Sequence, residues 1–343
     1  MRPSLRTAVV LLAGFALLVL FLRNVDLRGV ASQIVHARLG WLAVSLLTMI
    51  VNLALRSWRW QYLLEPLGRP GFGASFRATC VGFAASTVLP ARAGEVIRPY
   101  FLSRQERSIT ATGAFATVIL ERLLDMLTVL SLLALYVLVL APPPTEANHL
   151  AFETVKWAGL TAGVGSAFGL VVLFVLAGNP ARLAESLARL ERVLPSKLAG
   201  LLASVAEKFA TGLGAVRRPG RLAVALLLSV PLWLSIAVGI WSVALAFHLP
   251  VPFAGSFLII AMLVVGLAVP TPGAVGGFHA AFKFGATTFF AAPDDAAVGA
   301  AIVLHLFSVG PTLVLGLLFA AQEGLNLSGM RTLADRADSE GTV

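Results

Sequence analysis

Charged side chains are scarce in this chain, at 13% of 343 residues, and cysteine is all but absent, with Cys80 standing alone. A lone cysteine makes no intramolecular disulfide and lacks the companions of a thiolate metal site. Redox and zinc-ribbon chemistry are therefore excluded, and Cys80 reads as a small packed hydrophobe. The sequence has no Gly-rich phosphate loop ending in Lys-Ser/Thr, no nucleophile elbow, no Rossmann fingerprint and no His-Glu-x-x-His. These absences argue against an ATP-driven pump, a nucleotide-dependent enzyme, and a cofactor or metal site. Polar surface is also missing. With 58% hydrophobic residues the chain cannot wrap a water-soluble core, which sets aside soluble enzymes, nucleic-acid-binding domains and disordered scaffolds despite a net charge of +9. What remains is an integral membrane protein whose positive charge bears on topology and anionic lipid.

Apolar stretches long enough to cross a bilayer, about 17 to 25 residues each, recur at 7–22, 39–60, 123–141, 155–178, 222–247 and 296–321. Arg2 and Arg6 before the first of them imitate a signal peptide. No small-residue cleavage site follows, so we expect an uncleaved first span. Two further apolar regions, 73–90 and 253–290, are interrupted by Pro and Gly. The second is too long for one span and is cut by Pro270-Thr-Pro272-Gly273, which cannot continue a helix. A hairpin entering and leaving on one side is the economical solution. The fold expected is all-α: a polytopic transmembrane bundle of about six full spans plus two broken or re-entrant elements.

Eight arginines from Arg56 to Arg107 face Glu65, Glu95 and Glu106, and the linker 179–221 repeats that basic balance. Stretches 141–156 and 291–296 and the turn at His248 are neutral or acidic. By the positive-inside rule the basic regions are cytoplasmic, which puts both termini inside the cytoplasmic membrane. Within the linker, leucines at three- and four-residue spacing predict amphipathic helices on the membrane face. The organisation expected is one transmembrane domain over 1–327 and a disordered tail over 328–343. With this topology the halves mirror each other. Gly82-Phe-Ala leads to Pro90-Ala-Arg-Ala-Gly94, and Gly266-Leu-Ala leads to Pro270-Thr-Pro272-Gly273. Inverted repeats with discontinuous helices are transporter architecture, with the site where the breaks meet.

Three constellations carry chemistry. Glu121, Arg122 and Asp125 lie in an apolar run, where each charge would cost about 2.5–3.5 kcal/mol at mid-bilayer, so they must face protein or water. Glu121 and Asp125 share a helical face and Arg122 is the one counter-charge within the motif, which suggests a structural ion pair, a head-group site or a carboxylate that holds a proton. Arg92, Glu95 and Arg98 follow a Pro90/Gly94 break that leaves backbone groups unpaired, which suits either a phosphate site or a cytoplasmic turn. His279, Lys283 and His305 stand in and after the second break, beside Gly276, as hydrogen-bonded structure or as a site.

Asn52-Leu-Ala-Leu-Arg56-Ser-Trp58-Arg59-Trp60, Pro90-x-Arg-x-Gly-Glu-x-x-Arg98, Glu121-Arg122-x-x-Asp125 and Pro270-Thr-Pro272-Gly273-x-x-Gly276 occur in order. Together they resemble the lysylphosphatidylglycerol synthase transmembrane-region family of flippase-like membrane proteins. The resemblance implies movement of a phospholipid or polyprenyl-linked lipid between leaflets. Many members place Glu after the Pro-Gly-Gly turn and Arg in the next span; here Ala274 sits in the turn, and His279 and His305 stand at roughly those places. Loss of an acid–base pair at both positions suggests that these two residues touch. The head group is expected to pass through a groove lined by Arg92, Arg98, Glu121, Arg122, Asp125, His279 and His305, with no nucleic-acid partner; an oligomer is compatible with this. The rival readings are a polyprenol-linked glycosyltransferase using Asp294 and Asp295, and a non-catalytic subunit that recruits a lipid-modifying enzyme.

Overall fold

The computed structural model describes residues 27–89, 92–143, 145–178, 213, 218–268 and 271–323. Among them every regular element is helical: α1 (Leu27–Val35), α2 (Leu39–Leu64), α3 (Phe72–Val88), α4 (Gly94–Gln105), α5 (Ala111–Leu135), α6 (His149–Gly178), α7 (Pro219–Ala246), α8 (Gly255–Ala268), α9 (Gly277–Phe290) and α10 (Asp294–Gln322). A π-helical turn, Tyr136–Leu140, prolongs α5, and a 3-10 turn, Pro272–Ala274, stands between α8 and α9. Local chemistry sets the starts. Thr110 caps α5 by accepting from the Gly113 amide at 3.2 Å, Pro219 opens α7, and Asp294 and Asp295 occupy the first turn of α10, where a helix N-terminus favours negative charge.

Five helices, α2, α5, α6, α7 and α10, are long and apolar enough to cross a membrane. They match the last five of the six expected spans; the first, 7–22, lies outside the described residues, as do most of the amphipathic linker and the tail. One boundary differs. The apolar run suggested a third span from 123, whereas α5 begins at Ala111 and carries Glu121, Arg122 and Asp125 through its interior. Hydropathy stops at charge, but a helix does not when the charge is paired inside the protein.

The sequence echo between the halves corresponds to a structural repeat. α3 packs on α10 as α8 packs on α5, α4 on α5 as α9 on α10, and α2 on α3 as α7 on α8; α6 rests on α5 as α1 rests on α10. The equivalent helices α2 and α7 cross each other antiparallel. Arg38 N donates to Ala246 O at 3.0 Å, Asn52 Nδ2 to Leu232 O at 2.8 Å, and Arg221 Nη2 to Glu65 Oε2 at 2.6 Å. Equivalent helices that run in opposite directions make the repeat inverted.

The two interrupted regions are hairpins. α8 and α9 have 14 residues each, roughly 21 Å at 1.5 Å per residue, short of a hydrocarbon core of about 30 Å. They pair antiparallel, as Gly266 against Gly277 and Gly285 against Ile259 and Met262 show. In the first hairpin α3 and α4 cross at Gly82 and Gly94, and in the second the equivalent crossing is Gly266 and Gly277. A Cβ on Gly94 would overlap the Gly82 carbonyl, and one on Gly266 the Gly277 carbonyl. Gly94→Val is therefore expected to separate the arms, with a cost at or above the 1–3 kcal/mol of ordinary overpacking. Thermal unfolding in detergent micelles checks this; an unchanged transition would mean that the arms can separate without cost.

The turns of the two hairpins meet. Arg92, in the left-handed region at φ 53°, sends Nη2 to the Leu267 carbonyl at 2.7 Å, and Gly273 packs against Thr87. Pro90 and Pro270 lie outside the described residues. Loop ends gather at two opposite poles. Arg77 and Gln105 reach Glu323, and Gly68 packs on Ser108, at one; Trp41 meets Trp241, and Tyr136 meets Phe290, at the other. The loop charge balance is smaller than the sequence suggested. Arg56, Arg59, Arg98 and Glu95 lie on helices and Arg92 lies in the turn between α3 and α4, against the cavity or the ion-pair network, so the first basic region keeps Arg69, Arg77, Arg104 and Arg107 against Glu65 and Glu106.

Candidate functional site

Asn52, Arg56, Arg59 and Leu63 recur at four- and three-residue spacing and form the inner stripe of α2, facing α5 and α7. Arg59 is fully buried, at 0% exposure, and ties three helices together. Its Nη1 donates to Asp125 Oδ1 at 2.7 Å and to Ser229 Oγ at 2.6 Å, and its Nη2 reaches Glu121 Oε1 at 3.3 Å. Glu121 takes a second donor, Arg98 Nη1, on Oε2 at 2.8 Å. Asp125 is held from further sides, by Trp233 Nε1 on Oδ1 at 3.0 Å and by Arg56 Nη1 on Oδ2 at 3.3 Å, with Arg122 Nη1 3.9 Å away. The Arg98 guanidinium carbon lies over Trp60, 3.7 Å from the ring centroid, and the Trp60 indole N–H is anchored on Thr117.

This arrangement changes the reading of the carboxylates. The motif alone offers Arg122 as counter-charge; the fold adds Arg56, Arg59 and Arg98. Both Glu121 and Asp125 are ion-paired on both oxygens, so the reason for expecting one of them to hold a proton is gone.

Beside the network lies a cavity of about 780 Å³ between the two hairpins. One part of its wall is ionic: Arg56, Arg92, Glu95, Arg98, Arg122 and Asp125. Another part is apolar, with Met49 from α2, Met126 and Val129 from α5, Ile236 and Ile240 from α7, and Val264 from α8. Each half of the repeat contributes to its wall.

His305 also lines the cavity, and its Nε2 donates to the Gly273 carbonyl at 2.7 Å, tying α10 to the second hairpin's turn. The His279 ring lies 4.7 Å from the His305 ring, centroid to centroid, and its Nδ1 accepts from the Gly276 amide at 3.4 Å. The two residues that depart from the family pattern do touch. Gly273 and Gly276 hold φ 60° and 90°, a left-handed turn that glycine adopts at least cost.

Of the residues expected at the site, Arg92, Glu95, Arg98, Arg122, Asp125 and His305 line the cavity, together with Gly94 and Gly273. Glu121 lies behind the wall in the ion-pair network, and His279 lies behind His305, 6% exposed. Lys283 is not brought to the site: its Nζ pairs with Asp294 at 2.7 Å, at the start of α10. Pro272 lies in the turn. Sequence reasoning missed Arg56 and Arg59, which it counted as loop charges; their spacing from Asn52 on one helical face was the available signal.

The structure thus defines a polytopic α-helical membrane protein with an inverted repeat and two hairpins around an ionic cavity. Residues 5–316 match the family described as Lysylphosphatidylglycerol synthase TM region, and the chain belongs to that family. It is also 26% identical over 369 aligned positions to "Glycosyltransferase AglD" of Haloferax volcanii, an alignment that takes in 98% of this chain and 58% of that relative. The chain therefore spans little more than half the length of that protein.

Proposed function

We propose that this protein moves the polar head group of a phospholipid or polyprenyl-linked lipid across the cytoplasmic membrane, with both termini on the cytoplasmic side and without nucleotide hydrolysis of its own. The observation that carries the reading is the cavity between the two hairpins, whose wall combines a connected set of ionic side chains with apolar ones. A head group at membrane depth needs polar partners in place of water, and acyl chains need a route that stays apolar. An inverted repeat supplies two equivalent halves, either of which can open its hairpin to its own side while the other stays closed. Family membership in a lipid-related group supports the same reading.

Sugar transfer is the second reading, favoured by the similarity to the Haloferax volcanii glycosyltransferase. Among the described cavity-lining carboxylates, Asp125 is ion-paired on both oxygens and Glu95 pairs with Arg92 and Arg122 through Oε1, so neither is clear of arginine to act as a general base. The test is a leaflet-resolved assay on proteoliposomes holding a head-group-labelled lipid, run with and without a sugar donor. The expected result is faster loss of leaflet asymmetry than in protein-free vesicles, with no new glycolipid. Donor-dependent product would establish the transferase instead. An inert protein would leave recruitment of another enzyme as the role.

A further inference from the structure

The charge balance of the cavity bears on which head group it accepts, a question that rests on the translocation reading. Five arginines, Arg56, Arg59, Arg92, Arg98 and Arg122, meet three carboxylates, Glu95, Glu121 and Asp125, within one connected set of ion pairs. The excess is two positive charges. A wall with two more guanidiniums than carboxylates favours an anionic ligand over a cationic one.

The free hydrogen-bonding capacity points the same way. Both oxygens of Glu121 and both of Asp125 already accept from arginine. Glu95 lies 3.8 Å from Arg92 and 3.5 Å from Arg122. An ammonium entering here finds one carboxylate oxygen without an arginine partner, Glu95 Oε2, and several guanidiniums that repel it. On the donor side, Arg98 is 4% exposed and lines the cavity, yet its Nε and Nη2 have no hydrogen-bond acceptor among the described residues, and Arg122 Nε reaches Glu95 only as a 3.5 Å ion pair. Arginine donors left over in pairs suit the fork geometry of phosphate oxygens.

We infer that the cavity takes a phosphate whose charge is not offset by an amine, a phosphomonoester or pyrophosphate, in preference to an aminoacylated or choline-bearing phosphodiester. A phosphomonoester approaches two negative charges at neutral pH, which matches the excess. The specificity is partly repulsive: the same arginines that hold the phosphate turn away an ammonium.

The experiment measures binding to the purified full-length protein in micelles, by thermal shift, with four probes. These are a short-chain phosphatidic acid, the phosphatidylcholine with the same chains, lysylated phosphatidylglycerol, and inorganic pyrophosphate. Phosphatidic acid is expected to bind at least tenfold more tightly than phosphatidylcholine or the lysylated lipid. Arg122→Gln, at a partly exposed side chain, is expected to weaken it at least tenfold, with Arg122→Lys recovering part of the loss. Arg56→Gln provides a second variant should the first fail to fold. Equal affinity for phosphatidic acid and the amine-bearing lipids, or indifference to both glutamine variants, would overturn the inference. Pyrophosphate bound as tightly as the lipid would keep the phosphate site but assign it a soluble ligand. Selective binding without lipid movement would sink the translocation reading alone, and movement without head-group preference would sink this inference alone.

Discussion

Arg59→Leu is expected to cost about 3–5 kcal/mol of stability, because removing one partner from a buried ionic network leaves the others uncompensated. The side chain has no access to water and joins Glu121 and Asp125 of α5 to Ser229 of α7. Without it, Glu121 keeps only Arg98, and Ser229 loses its donor. Unfolding in detergent micelles measures the loss, with the exposed pair Arg77–Glu323 as comparison. That pair is 3.8 Å apart at half-exposed side chains, and Arg77→Ala should cost no more than about 1 kcal/mol. Comparable transitions for the two variants would mean that water reaches the network and that it does not hold the helices together.

The second large effect is all-or-none. Arg107 stands just before α5, at the pole where Gly68 packs on Ser108, and Pro143 follows the π-helical turn at the other end of the same helix. In intact cells, a cysteine in place of Pro143 should react with a membrane-impermeant thiol reagent, and one in place of Arg107 only after permeabilisation. Cys80, the chain's own cysteine, is buried and serves as an internal blank. The reverse pattern would turn the molecule over and remove the positive-inside argument, though not the inverted repeat, which rests on the antiparallel crossing of α2 and α7.

Much of this fold was legible because the bilayer requires long apolar helices. The runs at 39–60, 222–247 and 296–321 became α2, α7 and α10 with little adjustment at their ends. The pairing of Gly82 with Gly266 was legible for a different reason. Each permits a helix crossing that a Cβ would block, so the same packing demand wrote the same residue twice. Contact between His279 and His305 followed from a paired departure from the family pattern. Arg59 was hidden by its chemistry. In sequence, an arginine near the end of an apolar run looks like a loop charge, and only the fold reveals an Asp125 partner 66 positions away. The start of α5 was misjudged for the same reason. Composition registers the charges at Glu121, Arg122 and Asp125, but not the guanidiniums that make them tolerable inside a helix.

If the head group crosses through the cavity between the hairpins, a bulky group on Val264 must obstruct it, and one preparation can test this. Val264 lines that cavity, whereas its neighbour Val265 is 64% exposed on the outer face of α8. With Cys80 replaced by alanine, Val264→Cys and Val265→Cys can each be reconstituted and their leaflet exchange recorded. The record is then taken again after reaction with benzyl methanethiosulfonate, and again after reduction. The adduct on residue 264 is expected to slow lipid movement at least tenfold, with reduction restoring it, while the adduct on residue 265 changes nothing. Undiminished movement with residue 264 fully modified would contradict the claim and place the lipid's path elsewhere.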